Sequence, residues 1–367
     1  MDKTIQVTQP SLPPFDEYVN EIRDIWDNRW LSNFGPKLQK LRANLIEYLQ
    51  CDNLSLFANG HLALEAALTV MELKGEVITT PFTFASTTQA IVRSNLTPVF
   101  CDIDPVSYTL DANILESMVT EKTCAIMPVH VYGNLCDHRR IDEIAQKYGL
   151  KVIYDAAHAF GMKENGVSVG NFGDVSMFSF HCTKVFHTIE GGALSYSDRE
   201  LSDKFEQWCM FGMQGNDDVV RIGTNAKLTE FAAAMGLCNL RHIDELFSLR
   251  REAVKRYRER LSGCKGIILC DEHPAVEYNY TYMPVRFVKG LFGKTRDEIC
   301  ERLEHEKISA RKYFYPLTSD FSVYCDMFPI SKTPVAKEIS EQILCLPLYS
   351  EMPISDVDRI CDILLSG

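Results

Sequence analysis

Three short segments of the chain carry residues whose types and spacing suit cofactor chemistry. Asp155-Ala-Ala-His158 directly follows the apolar run Lys151–Tyr154, and Ser179-Phe-His-Cys-Thr-Lys184 directly follows Asp174–Phe178. The third segment, Ala58-Asn-Gly60, opens a stretch with helical periodicity. A carboxylate and a lysine at adjacent strand ends, with a helix N-terminus nearby, are the groups that pyridoxal 5'-phosphate (PLP) requires.

Each of these groups would serve a different part of PLP. The Lys184 amine can form a Schiff base with the aldehyde of the cofactor. The Asp155 carboxylate can keep the pyridine nitrogen protonated, so that the ring accepts electrons. Backbone amides at the helix N-terminus and a side-chain hydroxyl can hold the phosphate dianion. The three segments therefore point to PLP chemistry.

The elements that must position these residues alternate between strand and helix. The strands are short and nearly all apolar, which is typical of a sheet covered on both faces. This alternation predicts an α/β fold with a largely parallel sheet, whose right-handed crossovers bring the strand ends and the ligand to one edge. The predicted strands are Ser55–Ala58, Glu76–Thr80, Pro98–Ile103, Cys124–His130 and Lys151–Asp155, and the predicted helices are Gly60–Leu73, Phe84–Arg93, Asp111–Val119 and Asp137–Tyr148.

The pattern changes after Asp155. Two further strands are separated by too few residues for a helical crossover, and a long helix follows. We divide the chain into a large cofactor-binding domain, residues 1–245 with the N-terminal segment, and a smaller α+β domain, residues 246–367. The elements predicted in this half are strands Val175–Phe180, Gly191–Tyr196 and Tyr280–Phe287 and helices Thr229–Leu261, Thr295–Glu306 and Ser355–Leu365.

The composition disfavours several other classes of function. The chain has 367 residues, of which 46% are hydrophobic, enough for about two domains with sizeable cores. A net charge of −12 disfavours nucleic acid or an anionic membrane as the main partner, because both reward clustered Lys and Arg. No signal peptide is evident, and no apolar run approaches the ~18 residues of a membrane-spanning helix. We therefore expect a soluble, cytoplasmic protein.

Thirteen cysteines need an interpretation. They include no C-x-x-C motif and no group with zinc-finger spacing. Several lie in apolar stretches, as Cys101 and Cys345 do. We expect buried thiols in a reducing cytosol and no metal site.

The lysine segment resembles that of a known enzyme family. Residues 179–192 are similar to the lysine segment of the DegT/DnrJ/EryC1/StrS family of nucleotide-sugar aminotransferases, and the resemblance extends over almost the whole chain. The other matching motifs, in the family's order and spacing, are Pro81-Phe-Thr-Phe84, Pro98-Val-Phe-Cys-Asp102, Pro128-Val-His-Val-Tyr-Gly133, Asp155-Ala-Ala-His-Ala159, Gly173-Asp-Val-Ser-Met-Phe-Ser179 and Gly223-Thr-Asn225.

The resemblance implies the fold-type-I architecture of PLP-dependent transferases and a homodimer with active sites at the subunit interface. It implies that Lys184 is the Schiff-base lysine and the proton shuttle at the reacting carbon, and that Asp155 pairs with the pyridine nitrogen. His158 would lie along one face of the ring, and Phe84 would sit against it. The other implied cofactor contacts are the backbone amides of Gly60 and His61, the Ser179 hydroxyl, and Asn225, which would reach the phosphate in the other subunit.

Three positions depart from the family pattern. Position 61 is His where Thr is common, so a hydroxyl contact to the phosphate is lost or replaced by backbone. The run Asn225-Ala-Lys227 replaces Asn-Tyr-Arg, so a charge is kept without the arginine fork. Tyr315-Pro-Leu-Thr318 lacks the histidine often found after Pro-Leu. Because the diphosphate of a nucleotide sugar needs local cations, Arg221 and Arg311 are candidate substrate contacts, together with Tyr315.

The implied activity is transfer of an amino group from L-glutamate to a nucleotide-linked keto sugar. Family members with His, rather than Gln, at the position of His158 tend to aminate C4. His158 therefore favours a 4-keto-6-deoxyhexose, such as dTDP-4-keto-6-deoxyglucose, as a precursor of amino sugars in surface polysaccharide or O-antigen. Three alternatives stay open: amination at C3, a PLP-dependent sugar dehydratase, in whose branch the lysine is replaced, and a non-catalytic regulator on the same fold.

Overall fold

A seven-stranded sheet lies at the centre of the larger domain. The computed structural model describes residues 4–324 and 326–366, and in it the strands are β1 (Asn53–Phe57), β2 (Glu76–Thr79), β3 (Thr97–Phe100), β4 (Thr123–Met127), β5 (Lys151–Asp155), β6 (Val175–Ser179) and β7 (Gly192–Tyr196). In the order β1-β7-β6-β5-β4-β2-β3, the neighbouring pairs from β6 to β3 are parallel, and β7 is antiparallel to both of its neighbours. The predicted α/β fold with a largely parallel sheet is confirmed.

The reversed direction of β7 follows from the short connection before it. Residues 180–191 hold no crossover helix, so β7 returns beside β6 in the opposite direction, with Ser179 opposite Gly192. The connection is a loop at the carboxyl end of β6, and Lys184 lies in it. Asp155 ends the parallel neighbour β5. The sheet thus brings the predicted carboxylate and lysine to one edge, as expected for this topology.

Helices cover both faces of the sheet. Ile126 and Met127, adjacent in β4, pack in two different cores on opposite faces, as the period of two along a strand requires. The helices of this domain are α1 (Phe15–Asn28), α2 (Pro36–Leu49), α3 (Gly60–Val70), α4 (Ala85–Arg93), α5 (Ala112–Leu115), α6 (His138–Tyr148), α7 (Glu200–Cys209) and the long α8 (Glu230–Leu261), with 3-10 turns at Glu116–Met118, Val131–Gly133 and Val169–Asn171.

The smaller domain has its own antiparallel sheet and its own core. Helix α8 reaches both domains, because Ile243 packs in one of the large-domain cores and Ala253 packs in the core of the smaller domain. These two residues flank the predicted boundary between 245 and 246. In this domain the strands, in the order β8-β9-β10, are β8 (Ile267–Leu269), β9 (Met283–Phe287) and β10 (Ile343–Leu346), and the helices are α9 (Lys289–Phe292), α10 (Arg296–His305), α11 (Pro334–Gln342) and α12 (Ile354–Leu365), with 3-10 turns at Thr318–Asp320 and Ser322–Tyr324.

Two smaller sheets complete the secondary structure of the described residues. One contains the two-residue strands Lys163–Glu164, Val167–Ser168 and Val276–Glu277, so it joins residues of both domains. The other is a hairpin of Met213–Gln214 and Asp218–Val219 that follows α7. Most of the residues from Gln214 to Val220 are exposed.

The N-terminal strap, residues 4–14, crosses from one domain to the other. Ile5 forms a β-bridge with Ile308 and is buried in the core of the smaller domain, although the predicted boundary groups it with the large one. The Leu348 backbone N–H donates to the Val7 carbonyl oxygen at 3.0 Å. Farther along, the Ser11 carbonyl oxygen lies 2.6 Å from Nε2 of His187. The strap therefore connects the smaller domain to the segment that follows Lys184.

Several features lie outside the predicted elements or beyond their bounds. Helices α1, α2, α7 and α11 occupy segments for which no element is predicted, and β9 begins at Met283 rather than Tyr280. Twelve cysteines fall in the described residues as free thiols, seven of them buried and five partly buried, while Cys325 lies outside the described residues. Across the part of the chain that the structure describes, each helix is too short or too polar to cross a membrane.

Candidate active site

One large cavity opens at the carboxyl ends of β5 and β6, with a volume of about 650 Å³. Residues of the smaller domain, among them Tyr282, Tyr313 and Phe314, form part of its wall. The cavity also brings together most of the site residues predicted from the sequence. These are Gly60, His61, Phe84, Asp155, His158, Ser179, Lys184 and Arg311.

Asp155 is the last residue of β5, and it is buried. The Thr87 hydroxyl donates a hydrogen bond to Oδ2 at 2.7 Å, and the Ala157 backbone N–H donates to Oδ1 at 3.1 Å. Burial raises the pKa of Asp155, while these two hydrogen bonds and the Lys184 charge oppose that rise. Fixed donors thus hold the carboxylate in one orientation at the cavity wall, where it can pair with a cationic ring nitrogen.

Lys184 lines the cavity from the loop between β6 and β7. Its backbone N–H donates to the His181 carbonyl oxygen at 2.9 Å, which closes a turn before the lysine. Burial lowers the pKa of Lys184 to about 8, against the opposing attraction of Asp155. An amine with this pKa is partly neutral near physiological pH, as a nucleophile and a proton carrier must be.

Tyr282 contacts Lys184, although it is not among the site residues predicted from the sequence. Its hydroxyl oxygen lies 3.5 Å from Lys184 Nζ, and the amine lies 5.8 Å from the centre of its ring. The ring meets His158 edge to face, with the ring centres 4.9 Å apart. Burial raises the pKa of Tyr282, so its hydroxyl keeps a proton to donate. Tyr282 lies directly before β9, 98 positions after Lys184 in the sequence, so no local motif connects it to the lysine.

His158 presents a neutral ring to the cavity. The Tyr132 backbone N–H donates to Nδ1 at 3.0 Å, which leaves the proton of the neutral imidazole on Nε2. Phe314 lies parallel to the imidazole, with the ring centres 5.9 Å apart and the planes at 1°. Burial lowers the pKa of His158 well below its usual value. The flat, uncharged ring has the character that a stacking contact with a cofactor requires.

The N-terminus of α3 forms one corner of the cavity. Asn59 caps this helix, since the Leu62 backbone N–H donates to its Oδ1 at 2.9 Å. A Cβ added at Gly60 would lie 3.1 Å from the Ser179 Cβ, and one added at Gly192 would lie 2.6 Å from the Asn59 carbonyl carbon. The two glycines therefore let the helix end approach β6 and β7, so that backbone amides and the Ser179 hydroxyl share a corner suited to an anion.

The side chain of His61 has partners of its own. Nδ1 lies 2.9 Å from the Ser86 hydroxyl oxygen, and Nε2 lies 3.0 Å from Oε1 of Glu65. Glu65 is buried and also pairs with Arg93 of α4. These contacts anchor the imidazole between α3 and α4, and they leave Ser86 as a hydroxyl on the cavity wall.

These groups fit PLP as a resident cofactor. The corner at Gly60 and Ser179 suits its phosphate, Asp155 suits its ring nitrogen, His158 suits a ring face, and the Lys184 amine suits its aldehyde. The set is a conventional one for an organic cofactor and not for a metal ion. Within residues 4–324 and 326–366, no three His, Cys, Asp or Glu side chains are grouped so as to hold a metal.

Two predicted site residues, Asn225 and Arg221, lie outside the wall of this cavity. The Asn225 backbone bridges to Met210, and its side-chain oxygen accepts a hydrogen bond from Lys227. Arg221 donates from Nε to the Gln207 side chain at 2.8 Å. Neither residue faces the cavity of its own chain, so a contact with the cavity of a second subunit stays a prediction.

Tyr315, the remaining predicted site residue, lines a second cleft of about 360 Å³. The Arg296 guanidinium lies 4.9 Å from the centre of its ring. The cleft adjoins the main cavity and combines aromatic with cationic side chains. The residues that line both spaces are Thr83, Phe84, Arg311, Tyr313 and Phe314.

Comparison with known proteins identifies the family of the chain. Residues 15–365 match the DegT/DnrJ/EryC1/StrS aminotransferase family. The chain is 43% identical over 352 residues to a dTDP-4-amino-4,6-dideoxy-D-glucose transaminase of Shigella dysenteriae, covering 96% of both chains. It is 39% identical over 369 residues to an Escherichia coli transaminase with the same name, covering 99% of both chains.

Solved structures are also similar over nearly the whole chain. DesI, whose crystal structure was determined with its TDP-sugar product, has a TM-score of 0.94 and 31% identity, with 99% of this chain and 93% of DesI covered. Helicobacter pylori PseC, an aminotransferase of pseudoaminic acid biosynthesis, has a TM-score of 0.93 and 25% identity, with 99% of this chain and 98% of PseC covered. With its cavity of Lys184, Asp155 and His158, the chain belongs to the DegT/DnrJ/EryC1/StrS family and is a PLP-dependent sugar aminotransferase.

Proposed function

We propose that the protein transfers an amino group from L-glutamate to C4 of a nucleotide-linked 4-keto-6-deoxyhexose, with dTDP-4-keto-6-deoxy-D-glucose as the substrate. One observation carries the proposal: Lys184, Asp155 and the N-terminus of α3 face one cavity, in a chain 43% identical to a transaminase of dTDP-4-amino-4,6-dideoxy-D-glucose. The product would serve surface polysaccharide synthesis in the cytoplasm, including O-antigen. The relatives include a spore coat polysaccharide biosynthesis protein of Bacillus subtilis, which supports that setting.

The chain's own residues divide the work of the reaction. When bound, PLP supplies an electron-accepting ring that carries the amino group between donor and acceptor. Asp155 keeps a proton at the ring nitrogen, and the corner at Gly60 and Ser179 holds the phosphate. Lys184, whose pKa burial lowers to about 8, gives or takes a proton at the reacting carbon of each substrate. The neutral His158 imidazole would lie against one face of the cofactor ring and fix the plane of that ring.

The second cleft supports a nucleotide sugar as the amino acceptor. Arg311 lines both spaces, so one guanidinium can contact a diphosphate while the sugar carbonyl lies near Lys184. Tyr315 and Phe84, which are 45% and 59% exposed, offer aromatic surfaces for a base or a sugar ring. Arg311 and Tyr315 are therefore our proposed substrate contacts. Arg221 could join them only from a second copy of the chain.

We also propose that two copies form the active unit. Two large apolar side chains, one on each side of the hairpin, are exposed: Phe211 at 53% and Ile222 at 89%. Exposed apolar surface of this kind is typical of a covered interface. Asn225 lies three residues after Ile222, and we propose that it reaches the phosphate corner of the second copy. Light scattering of the purified protein should give twice the mass of one chain.

Incubation with L-glutamate and dTDP-4-keto-6-deoxy-D-glucose tests the function directly. We expect a dTDP-4-amino-4,6-dideoxyhexose, identified by mass spectrometry and NMR, together with one 2-oxoglutarate per amino group transferred. Lys184→Ala should abolish both products, whereas Lys122→Ala, on the exposed surface, should leave them unchanged. Loss of the sugar oxygen without gain of nitrogen would support the dehydratase, amination of a 3-keto isomer alone would support C3 chemistry, and no turnover would support a regulator.

A further inference from the structure

Two threonines behind Asp155 form a buried hydrogen-bonded relay. The Thr83 and Thr87 hydroxyl oxygens lie 2.8 Å apart, and the Thr87 hydroxyl lies 2.7 Å from Oδ2 of Asp155. All three residues are buried. Thr87 is in α4 and is 68 positions from Asp155 in the sequence, so the relay depends on the packing of this helix against the end of β5.

The direction of the relay follows from its last member. An ionised carboxylate only accepts hydrogen bonds, so Thr87 must give its single hydroxyl proton to Asp155. Thr83 must then donate to the Thr87 oxygen, which leaves the Thr83 oxygen free to accept a hydrogen bond on the cavity side. The Ala157 backbone N–H occupies the other carboxylate oxygen at 3.1 Å. Each carboxylate oxygen of Asp155 thus accepts a hydrogen bond from the protein itself, without any cofactor.

We infer that Thr87 is a positioning residue for PLP: its hydroxyl, backed by Thr83, holds Asp155 ionised and aimed at the ring nitrogen. The inference rests on the role proposed for Asp155. A hydrogen bond to a charged, buried acceptor is among the stronger ones in proteins. An apolar side chain at position 87 would leave the buried Asp155 carboxylate with one hydrogen-bond donor fewer. This loss destabilises the ionised form of Asp155 relative to its protonated form.

The expected pH effect has a definite sign. Burial raises the pKa of Asp155, and the Thr87 hydrogen bond acts to lower it. Two other titratable groups interact with this carboxylate, the Lys184 amine and the thiol of Cys136, whose own pKa burial raises. Loss of the Thr87 hydroxyl must raise the pKa of Asp155 further. Tight PLP binding should then begin to fail at a higher pH as the solution is acidified.

The test uses the full-length holoenzyme and PLP itself as the probe. Equilibrium dialysis against decreasing PLP, between pH 5.5 and 8.5, gives the dissociation constant, and the visible spectrum of the bound cofactor is recorded in parallel. Thr87→Val should raise the dissociation constant about tenfold at pH 7. It should also raise the pH below which PLP binding weakens. Thr87→Ser, which restores a hydroxyl, should reverse both effects.

Thr88→Val is the matched control. Thr88 is the next residue of α4, is equally buried, and donates its hydroxyl to Thr318 at 2.9 Å rather than to the cavity. The Thr88→Val variant should unfold at a denaturant concentration similar to that of Thr87→Val, and it should bind PLP as tightly as the wild type does. Equal loss of PLP in both valine variants, or no change in Thr87→Val, would overturn the inference. Asp155→Asn tests the proposed role of Asp155 separately from the inferred role of Thr87. Normal PLP binding in this variant would reject the role of Asp155 itself.

Discussion

Replacing Lys184 by methionine should stabilise the cofactor-free protein while abolishing its activity. The buried amine is costly to protonate, because its surroundings remove water without supplying a close carboxylate partner, and Asp155 compensates only in part. Methionine has a similar length and no charge, so it can occupy the same space without that cost. Active-site residues commonly carry such a cost in stability.

The magnitude follows from the lowered pKa. A drop from 10.5 to about 8 makes the protonated lysine less favourable in the folded protein than in the unfolded chain. Each tenfold change in proton affinity is worth about 1.4 kcal/mol, so the penalty at pH 7 is about 3 kcal/mol. Between pH 8 and 10.5, Lys184 is protonated in the unfolded chain but largely neutral in the folded protein. The free energy of unfolding of the wild type therefore rises with pH in this window. At pH 10.5 the cost of burying Lys184 falls below about 1 kcal/mol.

Urea unfolding of the cofactor-free protein, followed by circular dichroism at pH 7, 9 and 10.5, measures the effect. We expect Lys184→Met to exceed the wild type by about 2–3 kcal/mol at pH 7, and this advantage to shrink as the pH rises. Lys122→Met, at an exposed position, should differ from the wild type by less than about 0.5 kcal/mol at every pH. An advantage that is absent at pH 7, or that does not depend on pH, would refute the argument that burial sets the pKa of Lys184.

Three further predictions concern other parts of the site. Tyr282→Phe should slow the loss of visible cofactor absorbance on addition of L-glutamate about tenfold in stopped-flow experiments, because Lys184 loses the hydroxyl oxygen that accepts its hydrogen bond; an unchanged rate would exclude a role in proton transfer. Arg311→Ala should raise KM for the nucleotide sugar about tenfold while leaving the glutamate half-reaction intact, and an effect on glutamate instead would place the substrates differently. Ile222→Asp should convert the dimer to monomers in light scattering and weaken PLP binding, and a dimer that persists with full occupancy would show that the interface lies elsewhere.

The residues that could be predicted from the sequence are those marked by local signals. Asp155 and Lys184 each follow an apolar strand directly, and Gly60 follows an N-cap residue, so strand ends and a helix start identify them without knowledge of the fold. Parallel pairing of β5 and β6 then explains why the first two lie together. His158 is close to Asp155 along the chain, so it also follows.

The residues that could not be predicted contact the site across long stretches of sequence. Thr87 reaches Asp155 over 68 positions, and Tyr282 reaches Lys184 over 98. A threonine inside a helix and a tyrosine next to a strand are ordinary core residues in a single sequence, since only packing decides what they touch. The missed helix α2 is different, because Gly35 and Pro36 at its start are a recognisable signal for a helix N-terminus.

The N-terminal strap has a consequence for how the protein is made. Ile5 bridges to Ile308, and Val7 accepts a hydrogen bond from Leu348, which lies more than 300 residues later in the chain. Residues that leave the ribosome early must therefore wait for partners that are translated near the end of the message. The seven-stranded sheet can form during synthesis, but the smaller domain, and with it the wall formed by Tyr282 and Arg311, is completed only afterwards. The cavity wall is therefore closed only after the smaller domain has folded.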